Sequence, residues 1–64
     1  MVDIVLEWLR SELASGPFMV AIRWKDGTVE NLVRIEDEAT LDDDAQFIAE
    51  NMPFPSMGVI TDVR

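Results

Sequence analysis

The run Phe18-Met19-Val20-Ala21-Ile22-Arg23-Trp24-Lys25-Asp26-Gly27-Thr28-Val29-Glu30-Asn31-Leu32-Val33-Arg34-Ile35 decides the fold. Two apolar-rich segments flank an Asp-Gly dipeptide, the signature of a two-residue type I′ β-hairpin. Fixing that turn fixes a register. Lys25 then faces Thr28, Trp24 faces Val29, Arg23 faces Glu30 and Ile22 faces Asn31. Further along, Ala21 faces Leu32, Val20 faces Val33, Met19 faces Arg34 and Phe18 faces Ile35. This register collects Phe18, Val20, Ile22, Trp24, Val29, Val33 and Ile35 on one face. It also sets Arg23 across from Glu30 on the other, a favourable cross-strand pair. A slip of one residue would lose both results. The second face keeps Met19, Ala21 and Leu32, so it is not fully polar.

Upstream, Val2 to Ser15 reads as an amphipathic helix with Val2, Val5, Leu6, Leu9 and Leu13 on one face. Asp3 is its expected N-cap and Gly16-Pro17 its stop. Ile4 and Trp8 form a separate i, i+4 pair on the flank. Downstream, Glu36 to Ala39 reads as a loop. Thr40-Leu41-Asp42-Asp43 looks like a capping box with Thr40 as N-cap. A second helix is expected from Leu41 to about Asn51, burying Leu41, Ala45, Ile48 and Met52, with Ala49 beside them and Phe47 on its flank. Pro53-Phe54-Pro55-Ser56 reads as a stiff connector, with Phe54 either a core plug or a docking tip. Met57 to Arg64 is a short third strand, with Val59, Thr61 and Val63 on one face and Ile60 and Asp62 on the other. The expected fold is α+β. It is a two-layer sandwich of αββαβ order, with a three-stranded sheet and two helices on one face. The pattern allows strand three beside either strand one or strand two. Residues 1–64 are read as a single domain.

Composition narrows the function. A chain of 64 residues has a thin core, which rarely supplies more than roughly 3–5 kcal/mol. It has no Cys and no His, so a disulfide or structural zinc is not expected. No apolar run reaches the ~20 residues of a membrane span, and no basic leader precedes one. The expected location is cytoplasmic. The net charge is −8, and seven acids with no base lie between residues 36 and 50. That field repels nucleic acid and anionic membrane and attracts a basic surface.

Catalytic groups are scarce. There is no imidazole and no thiol, Lys25 sits at a turn, and Ser11, Ser15 and Ser56 have no base. Adjacent Asp42-Asp43-Asp44 on a helix point about 100° apart, which suits no cation cage, and the spaced ligands of an EF-hand are absent. The chain is therefore expected to bind rather than catalyse, with no cofactor and no metal.

The candidate partner-binding strip is Glu36, Asp37, Glu38, Asp42, Asp43, Asp44 and Glu50. Its plainer reading is structural: three Asp at a helix N-terminus and three acids in a solvated loop. Its functional reading is a carboxylate surface for a basic, nucleic-acid-binding protein. In size and charge the chain resembles the small acidic proteins with which bacteriophages block host restriction or CRISPR systems. That resemblance implies an inhibitor or adaptor that binds protein rather than nucleic acid or membrane. The alternative is a homo-oligomeric subunit, such as a homodimer, associating through apolar positions: Ile4 and Trp8 on the helix flank, Met19 and Leu32 on the sheet. Trp8 reads either as a core-edge residue or as an exposed anchor.

Overall fold

The first helix ends where its backbone runs out of helical partners. In the computed structural model, which describes residues 2–52 and 58–64, α1 spans Val2–Leu13. Ser15 N–H donates to the Glu12 carbonyl at 3.1 Å and Gly16 N–H to the Leu13 carbonyl at 2.9 Å. Gly16 has φ +111°, a conformation that stops a helix at little cost only for glycine. The helix thus ends two residues before Ser15. It has already begun at Val2, so Asp3 lies inside the first turn rather than capping it.

The remaining elements are β1 (Phe18–Trp24), β2 (Val29–Ile35), a 3-10 turn at Glu38–Thr40, α2 (Leu41–Asn51) and β3 (Gly58–Val63). The αββαβ order is the expected one. The connector at Pro53-Phe54-Pro55-Ser56, and Met57, lie outside the described residues.

The hairpin corrects the expected register. A type I′ turn needs positive φ at both central residues. Only Gly27 has it, at +93°, and no described non-glycine residue does. The Asp26 carboxylate instead accepts from the Thr28 N–H at 2.9 Å and the Thr28 hydroxyl at 2.6 Å. Gly27 N–H donates to the Trp24 carbonyl at 3.0 Å, and Trp24 N–H to the Thr28 carbonyl at 2.9 Å. The loop is therefore three residues long, Lys25-Asp26-Gly27, with Gly27 in the position of a G1 bulge. Near the turn this shifts the pairing by one. Ala21 faces Asn31, Ile22 faces Glu30, and Arg23 faces Val29 instead of Glu30. A β-bulge beside Val20 and Ala21 then restores the expected pairs Val20–Val33, Met19–Arg34 and Phe18–Ile35. Leu32 is the extra residue. The shift also moves Val29 off the helix-side face, and it is 52% exposed.

β3 lies beside β1, giving the order β2-β1-β3 with all pairs antiparallel. Ile22 faces Ile60 and Trp24 faces Gly58, so Ile60 and Asp62 take the helix side of the sheet. The core lies between the layers. Val5 and Leu9 of α1, Phe18 and Val20 of β1, Ile35 of β2, and Leu41, Ala45 and Ile48 of α2 are all buried. Leu6, Leu13, Trp8, Val33, Ala49 and Ile60 close its rim. Val2 and Met52, expected on the buried helix faces, are each 38% exposed because they lie at helix ends.

Arg64 ties the end of β3 to the end of α1. Its guanidinium donates to the Glu12 carbonyl at 2.6 Å and to Asp62 at 2.8 Å, and lies 5.2 Å over the Phe18 ring. That bond occupies a carbonyl at the helix C-terminus.

Two outcomes test this geometry. A Cβ at Gly58 would lie 2.9 Å from the Arg23 carbonyl oxygen and 3.1 Å from the Trp24 ring. Gly58→Ala should therefore lose about 1–3 kcal/mol in urea denaturation through overpacking. The Thr28 hydroxyl and N–H hold the Asp26 carboxyl below the ordinary carboxylate value. Its contribution is complete above that ordinary value, near 3.9, and is lost as pH falls through the lower folded value. An NMR titration should show Asp26 as the turn's low-pKa carboxyl in the wild type and shifted up toward the ordinary value in Thr28→Val, which loses the hydroxyl, the larger cause, and keeps the N–H.

Candidate protein-binding surfaces

The seven acids of the expected strip do not act alike. Asp37 lies before the 3-10 turn, and its carboxylate accepts from the Ala39 N–H at 2.9 Å. Thr40 makes no side-chain cap to α2, which corrects the expected capping box. Its hydroxyl donates to Asp44 at 3.0 Å and to the Asp37 carbonyl at 3.2 Å instead. The cause is the 3-10 turn where a loop was expected. The turn moves the capping position back to Asp37 and leaves Thr40 with φ −102° and ψ 4°. Glu36 pairs with Arg34 at 2.8 Å, and Glu38 reaches Arg10 of α1 at 3.8 Å. These exposed pairs are worth about 0–1 kcal/mol each. Glu50 accepts from Gln46 at 3.4 Å.

Asp42 and Asp43 have no hydrogen bond or ion pair to the described residues, and both are exposed in the first turn of α2. Glu50 lies seven residues beyond Asp43, ~10 Å along the same outward stripe. Between them sits Phe47, 42% exposed. The surface is thus an aromatic ring between carboxylates rather than a continuous acidic strip. The flank position expected for Phe47 is the exposed one. Its spacing of four from Asp43 and three from Glu50 was the signal that joins the three.

The opposite surface has a different character. Register puts Met19, Ala21 and Arg23 of β1, Val29, Asn31 and Arg34 of β2, and Val59, Thr61 and Val63 of β3 on the sheet face away from the helices. Leu32, the bulged residue, lies between Asn31 on this face and Val33 on the helix side. The strand residues of this face include two arginines and no acid, but Arg34 is paired at 2.8 Å with Glu36 just beyond β2. Met19 and Leu32 are half-buried, while Val29, Val59 and Val63 are 52%, 56% and 38% exposed. Ala21, at its centre, is fully buried.

The helix flank holds the other apolar candidates. Trp8 is half-buried, its ring edge-on to Phe18 at 6.4 Å, which makes it a core-edge residue. Ile4 is 70% exposed. Both line an open apolar groove of about 210 Å³ with Val5, Met52 and Ile60. Among the described residues there is no cluster of three or more metal-binding side chains, and no helix long and apolar enough to cross a membrane.

Comparison of the chain with known protein families, curated proteins and solved structures finds no match in any of the three.

The division of the acids has a measurable consequence. Asp37→Ala removes a cap and should cost roughly 0.5–2 kcal/mol. Asp42→Asn with Asp43→Asn removes only a helix-dipole gain that mutual repulsion offsets, so stability should stay within about 0.5 kcal/mol. Thermal melts of the two variants measure both; equal losses would mean the two groups of acids are not distinct.

Proposed function

We propose that the chain is a non-enzymatic binding protein whose helix layer engages a basic surface of another protein. The observation that carries this reading is Phe47, exposed on α2 between Asp43 and Glu50, with Asp42 about 100° further round the helix and no base among the described residues paired with any of the three acids. Aromatic side chains serve as binding anchors when neighbours exclude water around them. Carboxylates around such an anchor steer a basic partner in, raising the association rate and selecting against acidic surfaces. A basic surface that holds nucleic acid presents cations spaced for phosphates, and these carboxylates offer such cations an alternative anion. Within this reading the protein is an inhibitor or adaptor at a nucleic-acid-binding surface.

The experiment compares proteins captured from a bacterial lysate by the wild type and by Asp42→Asn/Asp43→Asn/Glu50→Gln, with Asp37 and Asp44 left intact to preserve the local fold. Basic, nucleic-acid-binding proteins should be retained by the wild type at low salt and released at high salt. The triple variant and Phe47→Ser should each lose them at low salt. Identical capture by wild type and variants would remove this surface from the mechanism.

A further inference from the structure

The sheet has two outer edges, and they differ. β2 carries the bulge at Leu32, which twists a strand away from regular pairing, and it ends in the charged run from Arg34 to Glu38. β3 pairs with β1 through six successive residues without irregularity. Its outer backbone groups make no backbone hydrogen bond to the described residues, and the Asp62 carbonyl accepts only a long bond from the Thr61 hydroxyl at 3.5 Å. Val59-Ile60-Thr61 has high β-propensity and no charge. Such an edge is a template for another strand.

What overhangs that edge also points to an occupant. The stripe Ile4, Trp8 and Glu12 of α1 faces β3, since Ile4 and Trp8 share a groove with Ile60 and Glu12 bonds Arg64. The groove is apolar and opens beside the unpaired edge. Two copies of a chain with net charge −8 repel each other almost everywhere. They approach at least cost where the surface carries no free acid. At this seam the acids are Asp62 and Glu12, both paired with Arg64, at 2.8 Å and 3.3 Å.

We propose that β3 pairs antiparallel with β3 of a second copy, forming a two-fold homodimer with one continuous six-stranded sheet. Side-chain alternation leaves few registers about a two-fold axis. Centring on Asp62 would set Asp62 against its own copy. Centring on Thr61 would set Asp62 of one copy beside Ile60 of the other, under the apolar groove. Centring on Ile60 sets Ile60 against Ile60, Val59 against Thr61, and Asp62 against Gly58, the smallest neighbour. This last register joins the two Ile4–Trp8–Ile60 grooves into one apolar seam and leaves the Asp62–Arg64–Glu12 contacts intact. It is the register of the dimer. The interface is at the small end of stable ones, so the dimer dissociates on dilution.

Sedimentation equilibrium over a range of concentrations should show mass rising toward twice the 7.3 kDa of one chain. Added salt should tighten the dimer, because it screens repulsion between copies. This is opposite in sign to the salt response of the helix-layer contact, so the two readings fail separately. Ile4→Lys and Val59→Lys, both at exposed positions, should each weaken association tenfold or more with an unchanged circular dichroism spectrum. The absence of cysteine allows a register test. Directly opposed strand residues lie about 4.5–5.5 Å apart at Cα, within disulfide reach. A mixture of Val59→Cys and Thr61→Cys chains should form linked dimers at least tenfold faster than either variant alone. A chain that stays monomeric at high concentration, a dimer that survives both lysine variants, or faster linkage of Thr61→Cys with itself would each overturn the proposal.

Discussion

The one-residue offset between the two ends of the β1–β2 hairpin shapes both faces of the sheet and both of its edges. It begins at Gly27, the only described residue of the turn with positive φ. A single positive φ permits a three-residue loop but not the two-residue type I′ turn. The Asp26 carboxylate completes the loop by bonding Thr28. Six residues of β2 later, the offset would put the strand's apolar set on the wrong side. The bulge at Leu32 absorbs it, and Val33 and Ile35 return to the core. The two irregularities are one device: the first follows from turn chemistry, and the second follows from the need to bury Ile35.

The offset also explains the unusual sheet face. Without it, Glu30 would stand across from Arg23 on the open side, giving that side an acid and an ion pair. With it, Glu30 faces Ile22 on the helix side, and Val29 takes its place opposite Arg23. The strands of the open face therefore present arginines and exposed valines but no carboxylate, and Glu36 beyond β2 pairs with Arg34. The acids collect on the helix layer and its approach. The molecule is polarised by register, not only by the order of charges along the chain.

Much of this was legible in the residues, and the failures have physical causes. Val5 and Leu9 at helical spacing, Phe18 and Val20 at strand spacing, and Gly16 as a stop were read directly, because each depends on local periodicity or one backbone conformation. The bulge was not legible. Asp-Gly is compatible with both turn types, and only the Asp26–Thr28 bonds decide between them. Thr40 looked like a cap because Thr-x-x-acid is a capping pattern. The pattern does not reveal that Asp37 opens a 3-10 turn first. The position of β3 beside β1 rests on tertiary packing that no short window holds. For the candidate surface, sequence located the acids but overcounted the free ones. Asp37 and Asp44 are occupied by the backbone and by Thr40, and Glu36 and Glu38 by arginines, which leaves Asp43 and Glu50 flanking Phe47 with Asp42 further round the helix.

The same offset reaches the question of what the molecule can associate with. A bulge on one edge strand removes that edge from regular pairing, so any further strand is directed to the other. On that other edge, Trp24 and the Arg23 carbonyl crowd the start of β3 so closely that only glycine fits at Gly58. Glycine there is also the one residue that leaves room beside Asp62 of a neighbouring chain. The close approach that holds β3 to β1 on its inner side thus leaves its outer side unobstructed at the same residue. Stability within one chain and pairing between two make the same demand on Gly58, and the acid-bearing helix surface is left facing solvent in either state.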